Sequence, residues 1–408
     1  MMGRNDGAPH LIPLTAVGWW LTLVTVSDLY LVPPLLPEFL EKVQTHIDNA
    51  GWIAASYQIG AALSTLPAGF LVDRFGFRFM MLLGMGLFAG GEILSAASTN
   101  LVFLLIGRSF AGAGSAATSL ALTACIGCMV RYEQRGKTMG WIGTAYFAGV
   151  SFGPLAVTQI AGRTNLTLLL ILFSILGMMG LILTAWIVPQ SPMPPCHPVS
   201  GKRNMGRRAS SILRNRGFWG LAIFQMLFSA GVVAMTFYFG DWLSRKFSLD
   251  PYQRGIVYAL GGLPSLLGAP LGGFLCDHLG KKPFLVLMTG FLAVMTCIMP
   301  YLEGALTGVV CLFGAVGLVA AGRYPAFHAI TTRLVEENLL GRLVALRNFL
   351  TYLATAIGLL VMGKVYAFSP AYGYVALRWV TMILLLISIP VFIRWIPEEP
   401  GENGLLRM

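Results

Sequence analysis

Long apolar runs separated by short polar turns cover almost the whole chain. A helix needs about 20 predominantly apolar residues to cross a bilayer. Twelve such runs can be placed. They are residues 14–36, 51–72, 78–98, 102–127, 138–160 and 166–189, then 218–240, 254–276, 283–301, 306–330, 345–368 and 376–396. The turns between them are short except at residues 190–216, which hold Lys202, Arg203, Arg207, Arg208, Arg214 and Arg216 and no acid. The pattern predicts an all-α polytopic membrane protein with twelve transmembrane helices. It divides them into a bundle of six over residues 1–189, a basic cytoplasmic linker over 190–216, and a second bundle of six over 217–408. Phe39–Asn49 and Asp241–Tyr252 read as loops on the outer side.

A repeat supports the division. Gly69–Arg78 reads GFLVDRFGFR and Gly273–Lys282 reads GFLCDHLGKK. Gly69, Phe70, Leu71, Asp73 and Gly76 recur as Gly273, Phe274, Leu275, Asp277 and Gly280, at one constant offset of half the chain. Each copy closes one apolar run and opens the next. A charged turn recurring at the same place in two apolar halves points to a duplicated membrane bundle.

Composition fits lipid as the solvent. Hydrophobic residues make up 56% of the 408 residues and charged residues 11%, against roughly a quarter charged in soluble domains. Mean hydropathy is +0.73. The first apolar run is too long for a signal peptide and lacks a small-residue cleavage site, so it is expected to stay as a membrane helix. The net charge of +11 reflects basic cytoplasmic segments near anionic lipid rather than nucleic acid. Most Lys and Arg fall on the side that carries both termini. Multi-pass insertion in the cell (inner or plasma) membrane with both termini cytoplasmic is therefore expected. Gly112-Ala113-Gly114-Ser115-Ala116-Ala117 matches a dinucleotide fingerprint, but it lies within an apolar helix with no strand before it. No metal cluster, nucleophile elbow or phosphate loop occurs, so the chain does not read as an enzyme and no cofactor or metal is expected.

These features resemble the major facilitator superfamily, whose turn signature is approximately G-x-L-x-D-R-x-G-R-K/R. Here Phe77 replaces one basic residue, and His278 stands for Arg in the second copy. Ile106–Gly112, with Arg108 inside it, looks like the family's fourth-span motif. Gly149, Gly153 and Pro154 look like the fifth-span motif of proton-driven exporters. Asp28 followed by Pro34-Leu35-Leu36-Pro37 looks like the first-span pattern of drug:proton antiporters. The resemblance implies two halves that rock around a site at the membrane midplane. It also implies a cytoplasmic latch made by Gly69, Asp73, Arg74, Gly76, Arg78, Gly273, Asp277, Gly280 and Lys281, present in one conformation only. Gly149, Gly153 and Pro154 would permit close packing and a weakened helix.

Four ionisable residues stand well inside the runs: Asp28, Glu92, Arg108 and Arg323. Each costs at least ~2.5–3.5 kcal/mol to insert and needs a partner, a wet cavity or a proton. In the family, spans one, four, seven and ten line the cavity, which places Asp28, Arg108 and Arg323 on cavity helices. Asp28 is the leading proton carrier, the alternative being a permanent ion pair with Arg108. Arg108 stays charged and either tunes Asp28 or holds an anion. Glu92 reads as a protonated or neighbour-bonded structural residue, or as a relay in proton coupling. Arg323 either meets an anionic group on the substrate or extends to the surface. Gln225 and Tyr238 are neutral candidates for substrate contact.

The sequence thus predicts a proton-coupled secondary transporter of a small organic molecule, exporting it in exchange for protons. The competing expectation is symport or exchange of an organic anion through Arg108 and Arg323. A reading of another class is a membrane assembly or sensor protein that no longer transports. Substrate, protons and lipid are the expected partners, with no nucleic acid, and the expected state is a monomer.

Overall fold

The computed structural model describes residues 11–130, 132–161, 164–189, 214–302, 305–334, 337–368 and 373–396. Within helices, the side chains of residues 11, 73, 132–137, 332 and 337–342 are not described. Twelve long helices run through the described residues. The first six are α1 Leu11–Leu29, α2 Ala50–Phe75, α3 Phe77–Ala97, α4 Leu101–Met129, α5 Tyr132–Ala161 and α6 Leu166–Ile187. The last six are α7 Arg216–Phe247, α8 Pro251–Leu279, α9 Lys281–Leu302, α10 Leu306–Arg333, α11 Glu337–Phe368 and α12 Gly373–Trp395. Ten of them are each long and apolar enough to cross a membrane. The other two, α2 and α5, are more polar, and at 26 and 30 residues they are also long enough to span. Around the outside, apolar side chains such as Ile175, Ile182 and Trp186 of α6 are exposed, as lipid-facing residues must be.

The predicted runs correspond to these helices, with two corrections. The run over 14–36 ends as a helix at Leu29. Pro33 and Pro34 cannot donate to a continuing helix, and the chain turns into a short helix, Leu36–Lys42. Asp241–Tyr252 is only partly a loop, because α7 continues as helix to Phe247. Asp241 is held there by Arg245 one turn on and by the Tyr366 hydroxyl at 2.6 Å. Two internal irregularities also appear. α7 contains a π-helical turn over Ser229–Val233, and α8 breaks at Leu263–Pro264 between Gly262 and Ser265. The predicted linker lies outside the described residues up to residue 213.

The sequence repeat is also a backbone repeat. Gly76 has φ 85 and ψ 161, and Gly280 has φ 82 and ψ 142. Only glycine adopts this region without strain, which lets α2 reverse directly into α3 and α8 into α9. We call the side of the bundle carrying these two turns the turn face.

The halves meet tightly toward the opposite face. A Cβ on Gly51 of α2 would lie 2.7 Å from the Leu359 carbonyl of α11 and 3.0 Å from the Tyr238 hydroxyl. Gly240 of α7 similarly abuts Pro33, and Gly255 and Gly262 of α8 abut Thr158 and Ser151 of α5. Arg254 of α8 crosses the same boundary, donating to the Pro34 carbonyl and to the Glu38 carboxylate. Nearer the turn face, Tyr146 of α5 and Tyr324 of α10 are 40% and 57% exposed, yet lie within electrostatic reach of each other. Two accessible rings from opposite halves mark a cleft on this side, while the opposite face is sealed.

Candidate functional site

Among the described residues, the most densely charged point of the interior lies in the first bundle. Arg108 of α4 donates from one nitrogen, Nη1, to Asp28 Oδ1 of α1 at 2.7 Å and to Glu92 Oε1 of α3 at 2.8 Å. Nη2 reaches the Asp28 carbonyl oxygen at 3.5 Å. The guanidinium also lies 4.9 Å over the Tyr57 ring of α2. Arg108 is 1% exposed and both acids 0%.

Small residues bring the three together. A Cβ on Gly91 would lie 2.5 Å from the Ala111 nitrogen, and one on Gly107 would lie 2.7 Å from the Ser95 nitrogen. α3 and α4 are therefore in backbone contact where Glu92 and Arg108 face each other. Gly112 similarly admits the Tyr57 backbone, which sets the Tyr57 ring under Arg108. On the other side, Gly149 and Gly153 of α5 pack onto Val26 and Ser27 of α1, fixing the turn of α1 that carries Asp28. Gly149 and Gly153 thus act in helix packing. Pro154 lies within α5, and its carbonyl accepts from the Thr158 hydroxyl at 2.8 Å.

The triad is one positive charge against two carboxyl groups. Both acids ionised would leave a net negative charge out of water, whereas one bound proton would make the cluster neutral. Asp28 Oδ2, Glu92 Oε2 and Arg108 Nε have no hydrogen-bond partner among the described residues, so the cluster has unused donor and acceptor capacity there. Removing one member of such a buried group leaves the others uncompensated, at a cost of about 3–5 kcal/mol.

The second bundle holds Arg323, which is 4% exposed. Its guanidinium lies 4.0 Å over Phe228 and 4.9 Å over Phe224, both on α7. No acid pairs with it among the described residues. Two cation–π contacts of about 0.5–2 kcal/mol each offset part of the insertion cost noted above. Arg323 does not reach the surface by extending its side chain. Gln225, half-buried, shares the α7 segment with these phenylalanines. Tyr238 is fully buried in the seal between the halves, where its hydroxyl donates to the Leu359 carbonyl at 2.9 Å.

Among the turn residues, Gly69 and Gly273 are half-buried, and Asp277 and Arg74 are exposed. The Asp73 side chain lies outside the described residues. Arg74 lies 5.1 Å over the Phe75 ring, and Lys281 opens α9. Arg78 donates to the Ala185 carbonyl near the end of α6. In the second bundle, the residue that corresponds to Arg78 is Lys282, beside the predicted Lys281. It donates to the Ile396 carbonyl just after α12, at 2.8 Å.

Among the described residues, three buried arginines were not among the sequence candidates: Arg254, Arg347 and Arg378, at 2%, 7% and 6% exposure. Each stands within the first three residues of its apolar run, where a cation facing headgroups is the ordinary expectation. For Arg347 and Arg378 the signal was the absence of an acid within a helical turn, whereas Arg254 has Asp250 four residues before it. No group of three or more His, Cys, Asp or Glu residues among the described residues could hold a metal ion.

Two helical bundles around a cleft, with paired charges inside the membrane, define the class of polytopic transporters. The chain belongs to the Major Facilitator Superfamily, whose family model matches residues 18–318 and 241–407. It is a multi-pass membrane transporter and not an enzyme. Among curated relatives, it is 26% identical over 377 residues to the MFS-type transporter YceJ of Bacillus subtilis (strain 168), covering 90% of this chain and 92% of that one. It is 24% identical over 390 residues to the multidrug resistance protein MdtG of Proteus mirabilis (strain HI4320), covering 91% and 92%. Its fold is similar to that of a D-xylose-proton symporter crystal structure, with TM-score 0.80 and 16% identity over 96% of this chain and 99% of that chain.

Proposed function

We propose that the protein is a substrate:proton antiporter that exports a small organic molecule by alternating access. The observation that carries this reading is the buried triad. Asp28 and Glu92 share the single guanidinium of Arg108, so a proton neutralises the cluster and its release makes the cluster an anion. Such a group favours different conformations when loaded and empty, because only a conformation that admits water solvates the charged form. Similarity to a protein named for multidrug resistance supports export. The basic distribution supports cytoplasmic termini in the inner or plasma membrane, which makes the turn face cytoplasmic and the present conformation open inward. In the latch reading, the two turns separate in this conformation and engage through Asp73 and Asp277 when the cleft faces outward. A single chain holds both bundles, and a monomer suffices for the cycle.

The test is lumenal pH in proteoliposomes, with wild type and Asp28→Asn compared while pooled anionic and cationic compounds are added. Substrate-driven proton movement in wild type that disappears in Asp28→Asn is the expected result. If both variants move substrate without protons, the antiporter reading falls.

A second reading, symport or exchange of an organic anion, rests on Arg323. That residue is a buried cation with no paired acid among the described residues. In the same assay, proton entry together with an anion would select it.

A further inference from the structure

Arg323 is not isolated along α10. Phe327 lies one helical turn further on the same face, and the Arg347 guanidinium of α11 lies 5.2 Å over its ring. Arg323 and Arg347 are both more than nine-tenths buried. Arg347 is pre-oriented, since Nη2 donates to Asn348 Oδ1 at 2.9 Å and Nη1 lies 3.5 Å from Thr331 Oγ1. Arg323 has no hydrogen bond to any described residue. Stacking on Phe224 and Phe228 engages the flat faces of its guanidinium. The in-plane N–H donors remain free, and these are the donors that match a carboxylate in a fork. Of its three nitrogens, only Nε is both buried and without a partner, so the terminal nitrogens keep some exposure.

The surroundings narrow the ligand further. Tyr324, next to Arg323, and Tyr352, one turn and a half beyond Arg347, both lie within electrostatic reach of Tyr146 on α5 of the other bundle. Tyr324 and Tyr352 are also within reach of Arg347. The His328 ring lies 4.1 Å from that of Tyr324. Rings dominate this wall, and no described acid forms an ion pair with either arginine. A sugar would require many directed polar groups, and a cationic drug would meet two positive charges.

We propose that Arg323 is the centre of an anion-binding subsite that holds the carboxylate of an aromatic acid, with Arg347 adding positive charge on the same wall and the ring system packing between the tyrosines of the cleft. This deepens the transport reading above by naming its substrate class, and it rests on that reading only for the cleft being the substrate pathway.

The test is equilibrium binding to the purified full-length protein in nanodiscs, by calorimetry. The probes are naphthalene-2-carboxylate, its neutral amide and tetraphenylphosphonium. The carboxylate is expected to bind and the amide to bind at least about tenfold more weakly, as loss of charged hydrogen bonds predicts. Arg323→Gln is expected to lower carboxylate affinity by about tenfold or more, and Arg323→Lys by less, since lysine keeps the charge without the fork. Arg347→Gln is the second variant, with the same expected direction. Elution volume and thermal midpoint identify variants that have kept the fold. The proposal is overturned if tetraphenylphosphonium binds as well as the carboxylate, if no probe binds, or if both Gln variants keep wild-type affinity. Binding requires no proton gradient. Carboxylate binding that survives Asp28→Asn in a protein that moves no protons would sink the antiporter reading and leave this subsite standing.

Discussion

Arg254 is tied to Glu38 across the boundary between the two bundles, with the same guanidinium donating to the Pro34 carbonyl. Arg254 is 2% exposed and the Glu38 side chain 26%. The contact belongs to a sealed face, and every part of it must separate if the cleft is to open on that side.

Arg254→Gln is expected to shift the conformational equilibrium toward the state open at that face. Loss of charge-assisted hydrogen bonds to a partly screened partner is worth about 1–2 kcal/mol, or roughly a tenfold change in population. Thr158, 0% exposed and packed on Gly255, reports the change as Thr158→Cys in a cysteine-free background. Its alkylation by an impermeant maleimide should accelerate in Arg254→Gln. An unchanged rate would show that the pair does not hold the seal.

The same seal gives an opposite kind of test. In Gly51→Leu the new side chain must displace the backbone around Leu359 and the Tyr238 hydroxyl, so the sealed conformation becomes inaccessible. The variant should fold, expose the Thr158→Cys reporter constitutively and lose at least about 90% of transport, since a cycle cannot proceed through one state. Normal turnover with a protected reporter would contradict the sealed packing.

The triad predicts strong non-additivity. Arg108→Met leaves two buried carboxyl groups competing without a cation and should destabilise the protein by about 3–5 kcal/mol. Adding Asp28→Asn and Glu92→Gln removes the groups that needed compensation, and most of the loss should return. Thermal midpoints of the single and triple variants in one detergent would show it. A triple variant less stable than Arg108→Met would mean that the three residues are not one electrostatic unit.

The two turn glycines should behave alike. Gly76→Ala and Gly280→Ala force a Cβ into a backbone region that L-residues avoid, at about 1–3 kcal/mol each. Gly90→Ala and Gly290→Ala, where a Cβ meets nothing within 4 Å, are the controls and should be near neutral. Equal midpoints for all four would remove the argument from backbone conformation.

Much of this was legible from residue order. The apolar runs gave the helices because a bilayer sets their length, and the repeat singles out Gly76 and Gly280, the two glycines with positive φ among the described residues. Asp28, Glu92, Arg108 and Arg323 stood out because charge within an apolar run is costly. Which of them met was not legible, since the meeting of Glu92 and Arg108 depends on backbone contact at Gly91 and Gly107, a tertiary property. Arg254 and Arg347 were hidden by their place at run edges, where chain order cannot tell a headgroup-facing cation from one that turns inward. Tyr238 is a candidate for substrate contact because it lies on α7, and its burial against Leu359 depends on which face of the bundle is closed, which residue order does not show. The end of α7 was misplaced because Asp241, Arg245 and Lys246 look like loop charges, although their spacing lets Asp241 and Arg245 pair along a helix.

Arg78 and Lys282 draw a mechanical consequence from the repeat. Each is the last residue of its copy, and each ties the start of its bundle's third helix to the last carbonyls of its sixth. The chain leaves the first bundle for the linker just beyond one of these ties. A load passed along the linker therefore arrives at a point already lashed to the neighbouring turn, and it is spread over several helices before it can unwind one. Each bundle then behaves as a stiff lever whose handle is its own repeated turn. Cutting the lash, as in Arg78→Ala, would leave the fold in place and soften the stroke.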